Sequence, residues 1–99
     1  MPAETHSHHA PLGPDEVRGF VVDRIAELTG SEAEMVRDDL SMRDDLGIDD
    51  LLRIELAELI EQDLGERTVS VAFEDEALLE LETVGDLVAM VCEQLAGAR

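Results

Sequence analysis

Asp45-Leu46-Gly47-Ile48-Asp49-Asp50-Leu51-Leu52-Arg53-Ile54-Glu55-Leu56 is the stretch on which the fold turns. Gly47 lets the backbone turn sharply, and Asp49 stands where a helix needs its N-cap. An Asp there accepts hydrogen bonds from the first free amides of the helix. Asp50 falls in the first turn, where the helix dipole favours negative charge by roughly 0.3–1 kcal/mol. Apolar positions recur at helical spacing as far as Leu64, and Gly65 predicts the stop.

Around this predicted helix, Leu52, Leu56, Ala57, Leu59, Ile60 and Leu64 spread over one broad arc, the core side, on which Arg53 and Asp63 intrude. Leu51, Ile54, Glu55, Glu58, Glu61 and Gln62 fall opposite. Single exposed leucines are ordinary on a protein surface. Two apolar residues set among carboxylates fit a binding face better than a merely solvated one.

These residues resemble the acyl carrier protein family, whose signature reads Asp-Leu-Gly-x-Asp-Ser-Leu before an acidic amphipathic helix with a Glu-Leu pair. Asp45-Leu46-Gly47-Ile48-Asp49, Leu51 and Glu55-Leu56 match it. The departure is Asp50, which stands where the family's Ser carries the 4'-phosphopantetheine arm. The resemblance covers about residues 15–96. It implies an all-α, small four-helix bundle with three main helices and one short one. It also implies a place in fatty-acid, polyketide or related natural-product biosynthesis.

Asp50 changes the implied chemistry. Transfer of the arm to a hydroxyl gives a stable phosphodiester, whereas a carboxylate would give an acyl phosphate, a reactive anhydride. Ser31, Ser41 and Ser70 lack the signature context. Phosphopantetheine is therefore not expected, and the expected role is an armless protein-binding, scaffolding or regulatory module. Two alternatives stay open: a genuine carrier whose Ser was replaced by Asp50, and an acidic decoy of a nucleic-acid-binding protein. The expected partner is a biosynthetic enzyme with a basic carrier-recognition patch, met by Asp49, Asp50, Leu51, Ile54, Glu55, Glu58 and Glu61. Carrier proteins often have an apolar residue at the place of Glu58, so a Glu there implies altered partner choice.

The rest of the chain agrees with one small domain over residues 14–97 behind a Pro-, His- and Ser-rich tail, residues 1–13. With 99 residues and only two aromatics, Phe20 and Phe73, the core must be aliphatic and modest. A first helix is predicted from Pro14-Asp15-Glu16 to Gly30, with Val17, Phe20, Val21, Ile25 and Leu28 inward. Ser31 with Glu34 offers a capping-box spacing for a short turn. Met35, Val36, Leu40 and Leu46 are expected to pin the long connection that follows. Residues 66–82 read as a loop with a short helix from Glu74 to Leu81. Thr83 and Asp86 space a capping box for the last helix, with Val84, Leu87, Val88, Val91 and Leu95 inward and Gly97 as its stop.

The 25 acidic residues against 7 basic ones give a formal charge of −18. That charge favours solubility and basic partners and disfavours nucleic acid and anionic membranes as direct ligands. No secretory signal and no membrane-length apolar run is present, which implies a cytoplasmic protein, expected to be a monomer on its own. Cys92 is expected to be a buried structural thiol. No metal site is expected: His6, His8 and His9 lie in the tail, and Asp38, Asp39, Asp44, Asp45 and Asp49 miss the calcium-loop spacing. Without a marked pair of carboxylates, a phosphate loop or a Ser-His-Asp set, an enzyme is not expected.

Overall fold

The computed structural model describes residues 13–66 and 71–97. It is an all-α bundle of α1 (Pro14–Thr29), α2 (Asp50–Glu66), the short α3 (Asp75–Glu80) and α4 (Val84–Gly97), with a 3₁₀ turn at Ala33–Met35. Among the described residues there is no strand, only an isolated antiparallel bridge between Ser41 and Thr83. The expected tail histidines and Ser70 lie outside the described residues.

The ends of α1 follow from its sequence. Pro14 opens it with its fixed φ. The Gly13 amide donates to Glu16 Oε1 at 3.2 Å. Gly30 closes the helix at φ 75°, a left-handed conformation that costs glycine nothing, and its N–H reaches Ala26 O. Val17, Val21, Val22 and Ile25 are buried against α2 and α4, while Phe20 and Leu28 are half-buried at the margin of the core.

Four local expectations are corrected. Gly65 does not stop α2, which runs on through Glu66: glycine weakens a helix by roughly 1 kcal/mol but does not break it. Ser31 does not cap the 3₁₀ turn. Its hydroxyl accepts from Thr29 Oγ1, and Glu32 takes the cap position. Met35 does not pin the connection and is 61% exposed, whereas Val36 is buried. Cys92 is only half-buried, at the edge of the core rather than within it.

The long connection is ordered by backbone bonds to the start of α4. Met42 N donates to Glu82 O, Val84 N to Leu40 O, and Gly85 N to Asp38 O at 2.9 Å. A Cβ on residue 85 would sit 3.2 Å from Asp38 O, so the glycine permits the close approach. Met42 and Ile48 are buried from this loop, and Ile48 N donates to Met42 O across its turn.

The capping box of α4 is formed. Asp86 Oδ2 accepts from the amides of Glu82 and Thr83, and Asp86 N donates to Thr83 Oγ1, each at 3.1 Å. These amides, Thr83 first, hold the Asp86 carboxyl below its ordinary value of 3.8. Its contribution is therefore present above about pH 4 and disappears as pH falls through the lower folded value. Thermal unfolding of Asp86→Ala and of the parent is expected to show a gap near neutrality that closes in acid. An equal gap at all pH values would assign the effect to helix propensity instead.

Every described arginine is committed within the chain. Arg18 pairs with Asp38, Arg24 with Glu27 and Asp63, Arg37 with Asp39 and Arg43 with Asp50, while Arg53 is buried. Exposed pairs contribute about 0–1 kcal/mol each and weaken in salt. A net −18 repels itself over a longer range. The second effect dominates, so moderate salt or millimolar magnesium is expected to raise the melting temperature by on the order of 5 °C, the equivalent of about 1 kcal/mol. A flat or falling melting temperature in calorimetry would show that repulsion is not a leading cost.

Candidate functional site: the exposed face and N-terminus of α2

Gly47 makes its turn at φ 69°, and Asp49 takes the N-cap as its sequence position suggests. Asp49 Oδ1 accepts from Leu52 N at 2.9 Å. Asp50 is the first helical residue, and its carboxylate is met by Arg43, which the loop brings back from seven residues earlier. Both side chains of this pair are about half exposed.

Leu51 projects beside them, 75% exposed. Ile54, one turn on, is half-buried, and Glu55 and Glu58 are exposed. Glu61 differs from the other acids of the face. It is half-buried, and its Oε2 accepts from Phe73 N at 2.8 Å, tying the segment before α3 to α2. The structure thus gathers Asp49, Asp50, Leu51, Ile54, Glu55 and Glu58 on one accessible surface. Glu61 stands at its far end, with one oxygen already engaged.

Arg43 and Arg53 shape this region, and the expected binding set contains neither. Arg53 is the residue that intrudes on the core arc of α2, and the fold turns that intrusion to use. The side chain is 2% exposed, and Nη1 donates to the carbonyls of Leu78, Leu79 and Leu81 at 3.1, 3.2 and 2.7 Å. Those carbonyls close α3, a six-residue helix too short to hold itself. Burial pushes the Arg53 guanidinium down from its ordinary value, the Arg43 charge acts in the same direction, and Asp50 opposes both. A charged residue on an apolar arc beside a short helix was the available signal for Arg53. No spacing rule foretold that Arg43 would fold back on Asp50.

The carboxylates of the face are solvated, and no group of three or more His, Cys, Asp or Glu among the described residues is placed to hold a metal ion. Ser31 and Ser41 stand apart from it, and the Ser41 hydroxyl accepts from Asp44 N at 3.0 Å. Among the described residues no helix is long and apolar enough to cross a membrane.

A turn at glycine, an Asp-capped acidic helix and a following short helix thus form this corner of the all-α bundle. Residues 19–91 match the family described as the phosphopantetheine attachment site, and the chain belongs to that family. It is similar to the meromycolate extension acyl carrier proteins of Mycobacterium bovis and Mycobacterium tuberculosis. Identity to each is 36% over 81 residues, covering 82% of this chain and 66% of the relative, just under two thirds of its length.

Proposed function

We propose that this chain is an armless relative of the acyl carrier proteins, a docking module in fatty-acid, polyketide or related natural-product assembly. On this reading it binds a carrier-recognising enzyme without presenting a substrate and performs no catalysis itself. The observation that carries the reading is Asp50. It stands at the first residue of α2, where the family signature has its Ser, and it offers a carboxylate engaged by Arg43 instead of a hydroxyl. That residue does not fit a phosphodiester-linked arm.

The face beside it supports docking. Leu51 is a large apolar side chain held in water, at a cost that burial against a partner would recover. Glu55 and Glu58 flank Ile54 and would meet Lys or Arg, mainly speeding encounter and fixing orientation. Leu51 and Ile54 would act as the anchors that set the lifetime of the complex. With the described arginines committed inside the chain, little positive charge on this face opposes a basic partner.

The test is a pull-down from the source organism, repeated with Glu55→Lys, Glu58→Lys and Glu61→Lys combined. Circular dichroism should show that the variant folds, which matters because Glu61 also holds Phe73 N. Loss of a carrier-recognising enzyme from the folded variant is expected, with most of the effect reproduced by Glu55→Lys and Glu58→Lys alone. Full retention would remove α2 as the docking face. Recovery of a nucleic-acid-binding protein would replace this reading with that of an acidic decoy.

A further inference from the structure

Asp50 is held from two sides. Arg43 Nη2 donates to its Oδ1 from a loop residue seven positions back. Arg53 lies behind it, buried in the bundle and close enough for the two charges to attract. Asp50 is also the first residue of α2, a helix of 17 residues, where the helix dipole draws negative charge. The neighbouring Asp45 and Asp49 are engaged by backbone amides, those of Ser41 and Leu52. Two guanidinium groups and a helix start thus favour one anion, at the side chain of residue 50.

The charge of that anion has a chemical counterpart. A Ser joined to the arm carries a phosphodiester, which has a single negative charge, whereas a bare Ser has none. The Asp50 carboxylate also has a single negative charge, on a side chain one bond shorter. The start of α2 therefore has the charge of a loaded carrier rather than of an unloaded one. Pairing with Arg43 does not hide it. Both side chains are about half exposed, exposed pairs are weak, and an ionised carboxylate accepts several hydrogen bonds. A Lys or Arg of a partner can share the Asp50 carboxylate without displacing Arg43.

We infer that Asp50 is a fixed stand-in for the phosphodiester of a loaded carrier, and that the partner is an enzyme that acts on loaded carriers and meets this anion with a cationic side chain. The inference rests on the docking reading above and names the class of partner within it. A transferase must approach a neutral hydroxyl and gains nothing from a charge at that point. Leu51, exposed beside the anion, gives the same partner an apolar contact next to the ionic one.

The experiment uses an ordinary Ser-bearing carrier protein as the substrate of two enzymes. One is a phosphodiesterase that removes the arm from the loaded carrier. The other is a transferase that adds the arm from coenzyme A to the bare one. The full chain is the competitor in both assays, beside Asp50→Asn, which removes the charge at nearly the same shape, and Asp50→Glu, which keeps it. The unsubstituted chain is expected to inhibit the phosphodiesterase. Asp50→Asn should do so about two- to fivefold less strongly, the size of one exposed charge contact, and Asp50→Glu nearly as well as the parent. Inhibition of the transferase should be the same for all three. Circular dichroism should show that each variant folds, which the Asp49 N-cap favours. Equal inhibition of the phosphodiesterase by the parent and Asp50→Asn would overturn the inference and leave α2 as a docking face. An equal loss at both enzymes would assign the charge to general attraction and overturn it as well. Inhibition of neither enzyme would remove the docking reading, and this inference with it.

Discussion

Arg53→Ala is expected to cost about 2–4 kcal/mol, as much as truncating a core leucine. Three carbonyls at the end of α3 lose their common donor, and the space left by the side chain lies at the packed α2–α3 contact. The carbonyls cannot all turn to water without moving the helix that bears them. Small domains have roughly 5–15 kcal/mol in hand, so the change removes a large share. At this chain length the melting temperature should fall by about 10–25 °C. Hydrogen exchange would locate the damage, with amides of α3 losing protection well beyond those of α1. Arg53→Lys should recover part of the loss, since one ammonium can serve some of the carbonyls but not in the same plane. A variant within 0.5 kcal/mol of the parent in urea denaturation would show that α3 is held by Leu78 and Phe73 alone.

The second large effect is chemical. Incubated with coenzyme A and a permissive phosphopantetheinyl transferase, the unsubstituted chain is expected to gain no mass. Asp50→Ser is expected to gain roughly 340 Da, the size of the covalently attached arm. The substitution supplies a hydroxyl at the first residue of α2 and at the same stroke releases Arg43 from its ion pair. Its effect on stability should be small, because the lost pair is half exposed and Asp49 keeps the N-cap. Mass spectrometry reads the outcome without ambiguity. An arm on the unsubstituted chain would overturn the armless reading. A folded Asp50→Ser that stays bare would mean that the surrounding surface no longer suits the transferase.

Local signals foretold the helices because each end is written in a few adjacent residues. Pro14, Gly30, Asp49, Thr83 and Asp86 all act where their chemistry suggests. The start of α2 and its exposed side were legible for the same reason, since a turn, a cap and an amphipathic helix are contiguous in sequence. Long-range pairing was not legible. Met42 and Ile48 look like ordinary loop residues and become fully buried only because the loop folds against α4. Arg53 was visible as a misfit on the apolar arc, but its acceptors lie 25 to 28 residues away. Glu61 was grouped with the outward acids because periodicity places it there, and nothing local announces its bond to Phe73 N. Met35 shows the converse, an apolar residue without a regular partner spacing that stays in water.

The backbone bonds between residues 38–42 and 82–85 also bear on the order in which the protein matures. A chain emerging from the ribosome makes α1 and α2 early, yet the loop that presents Arg43 to Asp50 has no template until residues 82–85 arrive. Contacts so far apart in sequence form late, because a long loop must close before they reward the chain. Nascent or C-terminally nicked forms would therefore contain a helical α2 but not the finished corner at its N-terminus. In such forms the Asp50 carboxylate would lack the guanidinium that the finished loop holds against it.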